Sequence, residues 1–122
     1  MELKNGMYVR YTRGMINEYV PPKIAKIVDC SDNELIKIDN GQVILRSDVI
    51  KARHKIIDLI EVGDYVNGEL VVQVSDDKGW VFTEPVYFDE HRGEERHYCY
   101  NNYEIKSVVT KEQFDSVRYE VE

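Results

Sequence analysis

The sequence is poor in the residues that mark disulfide-stapled or membrane-spanning proteins. Its 122 residues include two cysteines, Cys30 and Cys99, which are too few for a disulfide framework. No apolar run comes near the roughly 20 residues that a transmembrane helix needs, and the N-terminus lacks the apolar segment of a signal peptide. We therefore expect two reduced thiols, no membrane span and, by default, residence in the cytoplasm.

Basic residues are also in short supply. There are 16 Lys and Arg against 23 Asp and Glu, which gives a formal net charge of −7. Non-specific binding to DNA or RNA rests largely on neutralising phosphates with a basic patch. The densest basic segment, residues 51–55, is too short to reverse the balance. The composition therefore disfavours direct nucleic acid binding and suits an acidic surface that engages a basic partner.

Motifs for phosphate binding and acyl transfer are absent from the sequence. The chain has no P-loop, no dinucleotide-binding glycine pattern and no G-x-S-x-G elbow. Its best metal-ligand set is His91, His97 and Cys99, whereas structural zinc takes four ligands and catalytic zinc three in a fixed geometry. Cys99 with His97, or Cys30 with His54, are the candidate thiol dyads. We predict no cofactor and no enzyme activity, with a zinc-dependent or thiol enzyme as the least favoured alternative.

An internal similarity is the main positive feature. Residues 3–9, Leu-Lys-Asn-Gly-Met-Tyr-Val, resemble residues 60–66, Ile-Glu-Val-Gly-Asp-Tyr-Val, at an offset of 57. Residues 48–52 resemble residues 103–107 at an offset of 55. Two matches in the same order predict two copies of one small fold. Because a unit of about 60 residues is marginal alone, we expect the copies to share an interface or the chain to form a homodimer.

Strand patterns dominate both copies. Short alternating apolar runs between turn residues predict five strands in the first copy, and the tripeptide at 39–41, Asp-Asn-Gly, predicts a hairpin between two of them. Thr110 and Gln113 form a capping-box pattern that predicts a short helix. The sequence thus predicts a mostly β protein of two tandem SH3-like small barrels, at residues 1–55 and 56–122, with a short C-terminal helix.

The second unit is expected to differ from the first in its connections. Pro85 predicts an interruption between the strand segments 80–82 and 86–88, since proline cannot donate to a strand ladder. The closing strand is expected at 103–108, in line with the last strand of the first unit. A final short strand is expected at 118–121, after the helix.

Candidate binding residues fall in two regions. The second unit concentrates aromatic residues on strands, where alternate side chains face the core and the others are exposed. Aromatic packing across a half-buried sheet is the preferred interpretation of these residues, and a binding face is the alternative. The apolar residues of the loop at 12–22 must be covered by the other unit, by a second subunit or by a ligand, and we favour the other unit. The predicted binding residues are Met15, Tyr19, Asp76, Asp77, Tyr87, Glu90, Arg92, Glu94, Glu95, Arg96, Tyr98 and Tyr100.

The second unit also resembles a known group of proteins. Residues 60–68, Ile-Glu-Val-Gly-Asp-Tyr-Val-Asn-Gly, and residues 105–114, Ile-Lys-Ser-Val-Val-Thr-Lys-Glu-Gln-Phe, carry the resemblance. They are similar to small uncharacterised proteins encoded by phages and prophages of Firmicutes, mainly over residues 56–121. This resemblance implies a host bacterial cytoplasm and a phage accessory role, and it transfers no functional residues.

Three functional hypotheses follow, in order of preference. The first is a non-catalytic phage accessory factor that binds and modulates a host protein or a host defence complex through an acidic and aromatic surface. The second is a binder of a nucleotide signal, which would stack on the aromatic strands and be held by Arg92, Arg96 or Arg118. An enzyme ranks third.

Overall fold

A computed structural model of the protein describes residues 2–12 and 21–117. These residues form ten β-strands, two 3-10 helices at Arg46–Asp48 and Ile56–Leu59, and the α-helix α1 at Lys111–Val117. The strands make two antiparallel sheets of five strands each. The prediction of a mostly β protein with a short C-terminal helix is therefore confirmed, whereas the strand predicted at 118–121 lies outside the described residues.

The first sheet is built from the N-terminal half of the chain. Its strands, in chain order, are β1 at Tyr8–Tyr11, β2 at Lys23–Asp29, β3 at Leu35–Ile38, β4 at Val43–Leu45 and β5 at Val49–Arg53. Their order in the sheet is β4-β3-β2-β1-β5. The Asp-Asn-Gly tripeptide connects β3 to β4 as predicted, with Gly41 in the left-handed region at φ 86°.

The second sheet follows after the 3-10 helix at Ile56–Leu59. Its strands are β6 at Tyr65–Val66, β7 at Glu69–Val74, β8 at Val81–Asp89, β9 at Glu94–Tyr100 and β10 at Val108–Val109. Their order is β10-β6-β7-β8-β9, so β6 takes the place in this sheet that β1 takes in the first. Both sheets are open within the described residues, and the predicted SH3-like barrels are not confirmed.

The prediction that Pro85 interrupts a strand is wrong. β8 runs through this position, and the irregularity is absorbed as a register shift between Phe82 and Val86 in its pairing with β9. Such a bulge takes a residue out of the ladder, so the missing N–H of proline costs no strand hydrogen bond.

The closing strand of the second sheet is shorter and later than predicted. Residues 103–107 precede β10, because the side chain of Asn101 accepts hydrogen bonds from the backbone N–H groups of Tyr103 and Glu104 and closes a turn. Ala52 pairs with Val9 in the first sheet, and Val108 pairs with Val66 in the second. Since Val9 and Val66 hold matching places, the residue of the second sheet that is equivalent to Ala52 is Val108, at an offset of 56. The sequence match at an offset of 55 had aligned Ala52 with Ser107.

Each sheet covers its own cluster of buried apolar side chains. The members of the first cluster lie between Leu3 and Ala52 in the sequence, and those of the second lie between Ile57 and Ile105. Val9 and Val66, at matching places in β1 and β6, are both fully buried. Ile24 of β2 packs against the second cluster, so the two sheets share apolar contacts.

A buried network of charges, here called the seam, joins the two sheets. Arg10 is 3% exposed, and its Nη1 lies 3.2 Å from Oδ2 of the fully buried Asp64. Arg10 Nη2 donates to Glu112 Oε2 at 2.7 Å, and Nη1 lies 3.6 Å from Glu61 Oε2. The Asp64 carboxylate also accepts from the backbone N–H groups of Glu61 and Lys111, at 2.9 Å each. The seam thus ties β1, the entry to β6 and the start of α1 together.

The charges of the seam stabilise one another's ionised forms. Burial works to lower the pKa of Arg10, but the hydrogen bond to Asp64 and the surrounding carboxylates outweigh it and raise that pKa. The hydrogen bond from Lys111 Nζ, at 2.8 Å, holds the pKa of Glu61 below its ordinary value.

The predicted capping box is confirmed at the start of α1. The backbone N–H of Gln113 donates to Thr110 Oγ1, and the backbone N–H of Thr110 donates to Gln113 Oε1, both at 3.1 Å. Thr110 Oγ1 also donates to the carbonyl of Pro22 at 2.5 Å, so the cap is anchored to the first sheet.

Candidate functional site

The outer part of the β8–β9 hairpin extends beyond the rest of the second sheet. β7 pairs with β8 only over residues 81–83, whereas β9 pairs with β8 as far as Asp89. β9 is also the edge strand of the sheet. Residues 84–98, here called the distal hairpin, therefore form a two-stranded ribbon that no further strand of the described chain flanks.

Large apolar side chains are exposed on this ribbon. Val86 is 47% exposed, Tyr87 41%, Phe88 61% and Tyr98 44%. Tyr87 and Tyr98 contact each other across the strands, with ring centroids 5.1 Å apart. Isolated exposed apolar residues are ordinary on protein surfaces, but four within one hairpin concentrate exposed apolar area in the way that interaction sites do.

The apolar side chains occupy both faces of the ribbon. Tyr87 is paired with Arg96, which shares a face with Tyr98, whereas Val86 and Phe88 lie on the opposite face. In a half-buried sheet one face would be polar. Here neither face is committed to the core, which explains why the run Val-Tyr-Phe at 86–88 does not alternate.

The tip of the distal hairpin is acidic. Residues 84–97 carry five carboxylates against two arginines. The turn itself is fixed by Asp89, whose Oδ1 accepts from the backbone N–H groups of His91 at 3.0 Å and Arg92 at 3.3 Å. Arg96 Nη1 lies 3.9 Å from the Asp89 carboxylate. The predicted residues Glu90, Arg92, Glu94, Glu95 and Arg96 are thus brought together with Tyr87 and Tyr98.

Asp76 and Asp77 lie elsewhere. They belong to the turn between β7 and β8, at the end of β8 away from the acidic tip of the hairpin, roughly 25 Å from that tip along the strand. Asp77 Oδ1 accepts from Ser75 Oγ at 2.7 Å and from the backbone N–H of Gly79 at 2.9 Å, and these bonds lower the pKa of Asp77. The geometry gives Asp77 a role in holding the turn. Met15 and Tyr19 lie outside the described residues.

Tyr100 lies at the base of the hairpin. It is partly buried against the second apolar cluster, and its hydroxyl donates to the Glu69 carboxylate. The same carboxylate oxygen accepts from Oγ1 of the fully buried Thr83 at 3.1 Å. The hydrogen bond to Glu69, together with burial, raises the pKa of Tyr100 to about 12. Tyr100 therefore packs against the core beside the distal hairpin.

A shallow groove of about 290 Å³ runs along one face of the hairpin, next to Phe82, His97 and Cys99. His97 Nδ1 lies 2.6 Å from the carbonyl of Thr83, so it carries the hydrogen and the ring orientation is fixed. His91 lies in the turn, away from Cys99. Among residues 2–12 and 21–117, no three His, Cys, Asp or Glu side chains are grouped to hold a metal ion.

Two exposed residues of the patch, Val86 and Phe88, are missing from the predicted set. The signal that could have identified them is the unbroken apolar run at 86–88, directly before the acidic turn. A strand buried on one face favours alternation, so an unbroken run in a polar hairpin indicates a ribbon with two exposed faces.

The comparisons with known proteins identify no family for this chain. No protein-family model, curated protein or solved structure matches the chain. The resemblance to phage and prophage proteins of Firmicutes therefore stays a prediction. No helix in the described part of the chain has the length and apolar character needed to cross a membrane.

Proposed function

We propose that this is a non-catalytic binding protein whose distal hairpin engages another protein. The observation that carries the proposal is the exposure of Val86, Tyr87, Phe88 and Tyr98 on a ribbon that no further strand of residues 2–12 and 21–117 flanks. Tyrosine and phenylalanine are enriched at protein interfaces, because they bury a large area at low conformational cost. A ribbon can insert both of its faces into a cleft of the partner.

The charge of the hairpin selects the kind of partner. Five carboxylates outnumber two arginines in residues 84–97, and the whole chain carries a net charge of −7. A basic groove on the partner would complement this surface, speed association and fix the orientation of the complex. We propose a host protein or host defence complex with such a groove as the target, and inhibition of that target as the outcome, in keeping with the resemblance to phage proteins.

The shared strand order of the two sheets supports a duplicated scaffold as part of this proposal. In the order β4-β3-β2-β1-β5, each strand corresponds to one in β9-β8-β7-β6-β10. Gly6 and Gly63 precede β1 and β6 with φ of 89° and 100°. We propose two SH3-like units, of which the second has acquired an extended hairpin for binding.

The proposal is tested by comparative affinity capture from a bacterial host lysate. The wild-type chain is compared with the double variant Tyr87→Ser/Phe88→Ser. The matched control is Val43→Ser/Leu45→Ser, which removes two similarly exposed apolar side chains from the first sheet, at 46% and 47% exposure. We expect a partner that the wild type and the control retain and the hairpin variant loses.

Salt dependence provides the second arm of this test. Because exposed charges are screened at high ionic strength, the captured complex should weaken as salt is raised. A partner that the hairpin variant retains would overturn the proposed site. A complex indifferent to salt would overturn the assignment of a basic partner surface.

A further inference from the structure

A second concave site lies between the two sheets. This inter-sheet cleft has a volume of about 400 Å³, within the range of small-molecule sites. Tyr8, Ile24 and Lys26 of the first sheet line one side of it. The other side is lined by Val108 of β10 and by Ile105 and Lys106, which precede that strand. None of its lining residues belongs to the distal hairpin, so the site is independent of the proposed function.

The cleft combines an aromatic ring with an apolar floor. Tyr8 and Lys26 are direct cross-strand partners, and Lys26 Nζ lies 5.7 Å from the centroid of the Tyr8 ring. Ile105 is buried, whereas Ile24 and Val108 are half-buried and face the same space. A flat apolar group could therefore lie against Tyr8 and the aliphatic side chains, with a cation at its edge.

The rim of the cleft carries two lysines that are free of ion pairs. Among the described residues, neither Lys26 nor Lys106 has a carboxylate oxygen within salt-bridge distance. The one carboxylate in the lining, Asp39, accepts from the backbone N–H of Lys26 at 3.3 Å. Lys106 Nζ donates to the carbonyl of Tyr103 at 3.4 Å, a neutral partner that leaves its charge uncompensated. In a chain with an excess of seven negative charges, two lysines without an ion pair beside one cleft favour an anionic ligand.

The wall that presents Lys106 is held in place before any ligand arrives. Oδ1 of Asn67 accepts from the backbone N–H groups of Lys106 at 2.7 Å and Ser107 at 3.1 Å. Asn67 itself has the left-handed φ of 53°. A fixed wall lowers the ordering cost of binding, which favours affinity for a small ligand.

We propose that the inter-sheet cleft binds a small anion that carries a flat ring, the chemistry of a nucleoside monophosphate. The ring lies against Tyr8, Ile24 and Ile105. The phosphate lies between Lys26 and Lys106, which supply charge-assisted hydrogen bonds. Both sheets contribute contacts, so the ligand bridges the two units.

The experiment is an NMR titration of the full chain with the four common nucleoside 5′-monophosphates. The corresponding nucleosides and inorganic phosphate serve as fragment probes. We expect backbone amide shifts at Tyr8, Lys26 and Ser107, and tighter binding of at least one monophosphate than of either of its fragments. Lys26→Met and Lys106→Met should each weaken that binding by roughly tenfold or more. Lys37→Met, an exposed lysine of β3 outside the cleft, is the matched control and should leave it unchanged.

Several outcomes would overturn the proposal. Absence of shifts at the cleft amides with millimolar monophosphate would do so, as would phosphate binding as tightly as the monophosphate. An equal loss of affinity in Lys37→Met would show that the monophosphate is held by non-specific charge attraction. Because the substituted lysines are exposed, an unchanged amide spectrum of each variant distinguishes lost binding from lost folding.

Discussion

The two sheets place their strands in the same order but differ in the length of the outer pair. β3 and β4 contain four and three residues, whereas β8 and β9 contain nine and seven. The short pair ends where its core ends. The long pair continues past the last contact with β7 and exposes aromatic side chains there. The strand order is therefore common to the two sheets, whereas the extra length of β8 and β9 lies beyond the core and exposes the side chains on which the proposed function rests.

The largest effect is expected where the two sheets meet. Arg10→Met should lower the free energy of unfolding by roughly 3–5 kcal/mol, because it leaves the carboxylate of the fully buried Asp64 without its cation. Urea denaturation measures this loss. Arg53→Met, on the neighbouring strand and exposed, is the control and should change stability by less than about 0.5 kcal/mol. If the two substitutions lowered the free energy of unfolding equally, the seam would stabilise the fold no more than an exposed arginine does.

A smaller loss of stability is expected from truncating the two matching core valines, and it should be similar for both. Val9→Ala and Val66→Ala should each lower the free energy of unfolding by roughly 1–3 kcal/mol, since both side chains are fully buried. Because the seam couples the sheets, each variant should show one cooperative transition by circular dichroism. Two separate transitions, each responding to one substitution, would mean that the sheets unfold independently.

Alkaline pH should affect the second sheet at the base of its hairpin. The pKa of Tyr100 is raised to about 12 in the folded protein, above its ordinary value near 10. The corresponding stability is fully present below pH 10 and is lost as the pH rises from about 10 to about 12. The loss should be about 1 kcal/mol, because the site is partly exposed.

Ultraviolet absorbance of tyrosinate measures this ionisation. Glu69→Gln should bring the Tyr100 pKa down toward 10, since it removes the carboxylate that accepts the hydroxyl hydrogen. Tyr100→Phe identifies the step that belongs to this residue. An unshifted high-pH step in Glu69→Gln would contradict the assigned cause.

The smallest effect on stability is expected in the distal hairpin. Phe88→Ser should change the free energy of unfolding by less than about 0.5 kcal/mol, because Phe88 is 61% exposed. Val81→Ser, on the same strand and fully buried, should cost about 2–4 kcal/mol and is the matched contrast. A large loss of stability in Phe88→Ser would show that the exposed aromatic side chains serve folding.

Local sequence patterns predicted the local structure well. The Asp-Asn-Gly hairpin and the Thr110–Gln113 capping box form as expected, because each depends on residues only a few positions apart. Gly6 and Gly63 identified two equivalent turns for the same reason. The bulge at Pro85 and the turn at Asn101 were missed, since each depends on how a strand meets its neighbour.

The seam and the extent of the site could not be read from the sequence. Arg10 and Asp64 are 54 positions apart, and nothing in their local sequence indicates that they pair. The sequence grouped Asp76 and Asp77 with the hairpin carboxylates, yet β8 separates them. Charge and aromatic content predicted a binding surface on this hairpin, and that stays a prediction. The exposure of its side chains depends on where the core stops, which is a property of the folded sheet.

The most direct test of the proposed site replaces residues 84–97 with an Asn-Gly turn that joins Thr83 to Tyr98, the next pair after Phe82 and Cys99. β8 and β9 then end near the limit of the core, like β3 and β4. The free energy of unfolding and capture of the partner retained by the wild type are then measured on the same sample. We expect a folded chain whose free energy of unfolding lies within about 1 kcal/mol of the wild-type value and that no longer binds the partner. A shortened chain that fails to fold, or that still binds, would contradict this expectation.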